Sequence, residues 1–275
     1  DAFFPHWALG VRGRWRSLRF AGRMLGAVLR HGRPAVPAFD RKAPPRERRA
    51  RIVPRRLDPG WIRRLHERAQ AEGTTLHGAL LAAQILALAR DREDGRERLY
   101  LTGSPVNLRK RLLPPVGEDV GFFVTMGASL NLAEPETPFW PLAIAARHSL
   151  WHCVERGEPF VYGVQHRDLC RMNALLGLGS LGRRAVCRVA ESWAFGGLTL
   201  SNIGRVALEG LQGPFSIEDL GFAASLSCLS PLAAFAATIE RRSTWNFVGM
   251  EPLLTKAHTE DIADQAMKIL SKAAD

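Results

Sequence analysis

Apolar positions along the chain change their period several times, and each change marks an element. In VRGRWRSLRFAGRMLGAVLR (11–30), Trp15, Leu18, Leu25 and Leu29 recur at helical spacing, while Arg12, Arg16, Arg19, Arg23 and Arg30 fall mostly on the other side. That is the pattern of a basic amphipathic helix. Its apolar stripe either packs on the body and leaves the arginines solvated, or lies on a membrane surface. Residues 33–56 are rich in Pro and Arg, show no sustained period and read as an extended linker. Periodicity returns at Leu57. Asp58-Pro59-Gly60 predicts a helix start, with Asp58 as N-cap and Pro59 at the first helical position. This helix runs through Trp61, Leu65 and Ala69 and stops at Gly73. A second helix, capped by Thr74 or Thr75, follows in GTTLHGALLAAQILALAR (73–90). It is apolar on most of its surface, which predicts burial. Its small residues Gly78, Ala79, Ala82 and Ala83 leave room for close neighbours.

Further along, residues 98–108 and 120–132 read as strands and 138–156 as a helix, and a Leu-rich, Gly-containing helical region spans about 163–192. Four strands are predicted at 198–208, 217–227, 231–241 and 244–254. A closing helix follows at 259–273, with Thr259 as N-cap and Glu260 and Asp261 in its first turn. The order predicts a mixed α/β (α+β) fold, with a largely antiparallel or mixed β-sheet packed with helices. The chain divides into a basic helical segment (1–33), a linker (34–56) and a folded subdomain (57–275), and shows no internal repeat.

Charge sharpens this division. The net formal charge of the 275 residues is +11, but residues 1–68 hold 18 Lys/Arg against 5 Asp/Glu and the remainder is close to balanced. A basic segment of this kind meets phosphates, anionic lipid or an acidic protein surface. Nucleic acid is disfavoured as a partner, because the basic linker has almost no interleaved aromatics on which bases would stack. The four cysteines (Cys153, Cys170, Cys187, Cys228) form no C-x-x-C pair and read as reduced core residues of a cytoplasmic protein. No apolar run of about 18 residues or more is present to span a bilayer. A start at Asp1 rather than Met is expected of a fragment, a processed product or an unresolved start.

Candidate chemistry is sparse. Gly177, Gly179 and Gly182 only loosely follow a dinucleotide-binding spacing and follow no predicted strand, so a helix end accounts for them better. His148 and His152 stand four apart on a predicted helix, but the glutamate of a metalloprotease motif and a third ligand are missing, so no metal site is expected. Ser201 and Asn202, in LSNIG (200–204), lack the flanks of a nucleophile elbow and read as turn or strand-end hydrogen-bonding groups.

The ordered set GTTLHGALLAAQILALA, SPVNLRKRLLPPVGEDVGFFV, LTLSNIGRV and a strand ending in EPLL before a closing helix resembles the chloramphenicol-acetyltransferase-like superfamily. That group includes condensation domains, polyketide-associated acyltransferases and alcohol O-acyltransferases. The likeness covers residues 57–275 and is to the C-terminal half alone. It implies two α/β halves with a tunnel between them. An acyl group passes from acyl-CoA or an acyl-carrier thioester, used as donor substrate, to a hydroxyl or amine acceptor on a small molecule or lipid. No permanently bound cofactor is expected. The family's general base is the histidine of an H-H-x-x-x-D motif on the N-terminal half. None of the eight histidines here fits H-x-x-x-D, so the catalytic residue is expected outside this chain, on an N-terminal half that acts as its partner. By the same likeness Arg109 is a structural clamp pairing with the aspartate of that motif. Gly121 and Phe122 match a strand bordering the acyl channel. Ser201, Asn202 and Gly204 line the tunnel, where a hydroxyl or amide donates to the thioester oxyanion. The chain departs from wax ester synthases, which carry Asn-Asp where His77-Gly78 stands here. The alternative readings are a non-catalytic binding or scaffold protein of the same fold, and a peripheral membrane contact through the basic arm.

Overall fold

A computed structural model describes residues 4–92, 94–161, 164, 179–182, 197–206, 217–224, 226, 230–239 and 242–274. In chain order the long elements are α1 (Gly10–His31), β1 (Arg49–Val53), β2 (Arg56–Leu57), α2 (Pro59–Ala71), α3 (Leu76–Asp91), β3 (Arg98–Asn107), β4 (Val124–Ala133), α4 (Phe139–Glu155), β5 (Leu198–Val206), β6 (Leu232–Ile239), β7 (Arg242–Glu251) and α5 (Lys256–Ala274). The strands form a mixed sheet in the order β1-β7-β6-β5-β3-β4, with β2 also on β7. β5 runs parallel to β3 and β6, and the other pairings are antiparallel. The predicted helical region at 163–192, together with Cys170, Cys187 and Cys228, lies almost wholly outside the described residues.

Local chemistry sets the helix starts. The Asp58 carboxylate accepts from the Trp61 amide at 2.9 Å, and Thr75 Oγ1 accepts from the Gly78 amide at 3.1 Å, so both expected caps are made. α3 is buried from Gly78 to Ala89 and forms the axis of the core, with α4 and α5 against it and Tyr100, Leu198, Leu200, Trp245 and Phe247 of the sheet beneath. A Cβ on Gly78 would stand 2.7 Å from the Ala143 carbonyl oxygen of α4, so glycine is what permits this approach. At the edge of the sheet, Ser149 of α4 accepts from the Leu130 amide and donates to the Leu130 carbonyl, satisfying backbone groups that β4 would otherwise leave unpaired.

Five sequence expectations need correction. The segment read as a linker is extended, but β1 and β2 within it pair with β7, and Ala35 and Val53 are buried. The strand expected from residue 120 begins at Val124, because β3 ends at Asn107 and the chain turns away through a 3-10 turn at Arg109–Arg111. Among the described residues, 217–224 have no ladder partner. Instead, Arg242, Thr244 and Asn246, alternate residues of β7, donate side-chain hydrogen bonds to the carbonyls of Glu218, Leu220 and Phe222 at 3.1, 2.7 and 3.0 Å. The segment is thereby laid across the sheet face, where Phe222 and Leu226 cover Ala233, Phe235 and Val248. α5 starts earlier than expected: Thr255 Oγ1 accepts from the His258 amide, and Thr259 is a buried helical residue donating to the Thr255 carbonyl. Finally, α1 packs on the body through Gly13 and Phe20, while Val11, Trp15, Leu18, Leu25 and Leu29 are exposed. At about 100° per residue those two sets lie on opposite sides of the helix.

Candidate functional site

Because β3, β5 and β6 are mutually parallel, their C-terminal ends lie on one edge of the sheet, and antiparallel β4 begins there. Such an edge is where ligands bind in open sheets with parallel strands. It collects the expected site residues: Arg109 in the turn after β3, Gly121 and Phe122 just before β4, and Ser201, Asn202 and Gly204 near the end of β5.

Asn202 shapes its strand end. Its Oδ1 accepts from the Gly204 amide at 2.9 Å, Gly204 takes φ +72°, and the register with β6 shifts between Asn202 and Arg205. A positive φ at this point suits glycine. The Asn202 side chain therefore serves a strand-end turn through its oxygen, and its Nδ2 has no partner among the described residues. Ser201 is nearly buried and pairs in register with Phe235.

Arg109 is held by its own loop. Its amide donates to Asn107 Oδ1 at 3.0 Å, its Nη2 donates to the Asp119 carbonyl at 3.0 Å, and its guanidinium lies 4.8 Å above the Phe123 ring. Among the described residues it makes no ion pair with a carboxylate. Gly121 is exposed and Phe122 is 90% exposed, so they form an outward-facing turn at the edge rather than part of a strand.

Two of the described histidines are engaged within the body. His77, in the first turn of α3, places Nε2 2.9 Å from Ser104 Oγ in the layer between helix and sheet, and burial pushes its imidazole down to about 4. His258 spends both ring nitrogens on carboxylates, Nδ1 to Asp40 at 2.9 Å and Nε2 to Asp91 at 2.6 Å. Burial disfavours its charged form, but the hydrogen bonds and charges of Asp91 and Asp40 outweigh this and hold it above its ordinary value. This Asp-His-Asp bridge ties the segment before β1, the end of α3 and the start of α5. Its three members are too far apart in sequence for spacing to have revealed it. Cys153 is a buried free thiol, pushed up to about 12 chiefly by burial. Among the described residues no cluster of His, Cys, Asp and Glu is placed to hold a metal ion, and no helix is long and apolar enough to cross a membrane.

The mixed sheet packed with helices has the fold of solved acyltransferases and condensation domains. The TRI3 trichothecene 15-O-acetyltransferase from Fusarium sporotrichioides aligns with a TM-score of 0.67 at 13% identity, over 99% of this chain and 55% of its own. The EpoB NRPS cyclization-docking bidomain from Sorangium cellulosum aligns with a TM-score of 0.61 at 17% identity, over 98% and 50% respectively. A PapA2 acyl transferase aligns with a TM-score of 0.59 at 13% identity, over 94% and 52%. The chain thus spans about half the length of these structures. No curated protein matches it in sequence. Residues 46–248 match the family described as phthiocerol/phthiodiolone dimycocerosyl transferase C-terminus, and the chain belongs to that family.

Proposed function

We propose that this chain is the C-terminal part of an acyltransferase, moving an acyl group from acyl-CoA or an acyl-carrier thioester to a hydroxyl or amine on a small molecule or lipid. The observation that carries the reading is the family match over residues 46–248. We place the general base on a counterpart half, since none of the eight histidines here fits H-x-x-x-D, and His77 and His258 are already engaged within the body. That base takes the proton of the acceptor hydroxyl as its oxygen attacks the thioester carbonyl. The tetrahedral oxyanion then collapses, expelling the thiolate, which receives the proton. Asn202 Nδ2 is the donor this chain offers to the oxyanion, and Arg109 is positioned by its loop to meet a carboxylate of the counterpart. The same counterpart covers Leu18, Leu25 and Leu29 of α1.

The test is an acyl-transfer assay, with release of free thiol as readout, on this chain assembled with its counterpart half. Asn202→Ala should lower kcat by about 100-fold or more with little change in KM, the range for one oxyanion donor. Asn202→Ala keeping full turnover would remove Asn202 from the site. Arg109→Ala should weaken assembly as much as turnover, and unchanged assembly and turnover would remove the clamp. Absence of transfer from any thioester by the assembled protein would sink the reading and favour a binding protein of the same fold.

A further inference from the structure

Away from the strand edge, a cleft of about 480 Å³ lies between α1 and the turn that follows α4. That is a volume suited to a small molecule. Arg12, Arg16, Arg19 and Arg23 stand at spacings of four, three and four, so they share one side of α1 and line the cleft, with Arg156 contributed from the facing turn. The 22 residues of α1 include no Asp or Glu, so like charges on that side are not relieved within the helix. Among the described residues one carboxylate answers them: the buried Glu158 pairs with both Arg23 and Arg156. Arg16 is fixed by the Arg156 carbonyl at 2.6 Å and lies 4.4 Å over the face of Trp7. Arg12 and Arg19 have no partner among the described residues. The described lining therefore carries five guanidinium groups against one carboxylate.

An excess of positive charge around a partly enclosed recess concentrates potential, and the planar guanidinium fork matches phosphate oxygens two at a time. The wall also presents Trp15, 63% exposed, as an open aromatic face on which a planar base can stack. Trp7, on the far wall, is shared with the cluster of Leu108, Leu112 and Phe123 around the Arg109 loop. Trp7 thus links the cleft to the Arg109 loop.

We propose that this cleft binds a small anion carrying at least two phosphates joined to a planar ring, that is, the phosphorylated end of a nucleotide-type ligand. Arg12 and Arg19 grip the phosphates, Arg16, Arg23 and Arg156 supply the fixed field, and Trp15 stacks on the ring. The site rests on its own residues. Only its assignment to the nucleotide end of an acyl-CoA donor depends on the acyltransferase reading.

The test is titration of the full chain, followed by tryptophan fluorescence and calorimetry, with coenzyme A, adenosine bisphosphate and inorganic pyrophosphate. Vesicles of phosphatidylcholine with phosphatidylglycerol form a separate arm. The soluble phosphates should bind one per chain, more weakly as salt rises. The double variant Arg12→Glu, Arg19→Glu should weaken them at least about tenfold with an unchanged melting curve, since both side chains are exposed. Trp15→Ala should weaken the two ring-bearing probes and leave pyrophosphate unaffected. No saturable binding of a soluble phosphate at low salt, or binding indifferent to the arginine variant, overturns the site; binding to vesicles alone overturns it in favour of a lipid surface. In the assembled protein, transfer with an acyl-CoA KM unmoved by the arginine variant removes the cleft from donor binding and leaves the acyltransferase reading intact. Cleft binding with no transfer does the reverse.

Discussion

His77 and His258 respond to pH in opposite directions. With the His77 imidazole pushed from 6.5 to about 4, the unfolded chain takes up a proton in that interval that the folded chain does not. Stability supplied by this site is therefore whole above about pH 6.5 and lost as pH falls toward 4. For His258, raised above 6.5 by Asp91 and Asp40 against the opposing effect of burial, the folded chain keeps a proton that the unfolded chain releases. Its contribution is whole below about pH 6.5 and lost as pH rises through the elevated value. Urea midpoints measured from about pH 4 to 9 should show His77→Gln flattening the acid limb. His258→Gln should cost more near pH 6 than near pH 9. Parallel curves for wild type and both variants would show that neither imidazole is coupled to folding. His77 was visible in the sequence as an unusual residue beside Gly78, but its partner Ser104 was not, because that contact crosses from helix to sheet.

At the scale of elements, periodicity identified most of the helices and strands, and it failed where alternation arises without a ladder. Residues 217–224 alternate because one side of the segment lies down on the sheet, yet their carbonyls are held by the side chains of Thr244 and Asn246 rather than by a neighbouring strand. Thr244→Val with Asn246→Leu should free this segment and cost about 1 kcal/mol per lost hydrogen bond, seen as faster amide exchange at 217–224 with the β6–β7 ladder unchanged. Undiminished protection there would mean that Phe222 and Leu226 alone hold it. Gly78→Ala tests the opposite kind of feature, one the sequence did suggest. Crowding against Ala143 should cost about 1–3 kcal/mol in urea denaturation, and a neutral result would show that α3 and α4 can separate freely.

For the molecule as a whole, the decisive feature is a helix with one side packed on the body and the opposite, apolar side exposed. Phe20 anchors α1 to the body, whereas Leu18 and Leu25 point away from it, 64% and 46% exposed. In the chain alone, Leu18→Glu with Leu25→Glu should leave the melting temperature nearly unchanged and reduce binding of an apolar dye, while Phe20→Ala should destabilise by about 3 kcal/mol. A large loss of stability in the double glutamate variant would show that the stripe is packed in solution. With the counterpart half present, the same double variant should block assembly.

The sequence by itself determined the periods, the caps at Asp58 and Thr75, the buried axis of α3, the basic first quarter and the ordered motifs that mark the acyltransferase family. These are properties of neighbours along the chain, and a one-dimensional pattern carries them. Only the tertiary structure decided that β5 lies parallel between β3 and β6, bringing Arg109, Phe122 and Asn202 to one edge. It alone turned the stripe of α1 outward and joined Asp40, Asp91 and His258. Strand order, helix orientation and ion bridging are set by hydrogen bonds and contacts between residues far apart in the chain, and local spacing carries no record of those distances.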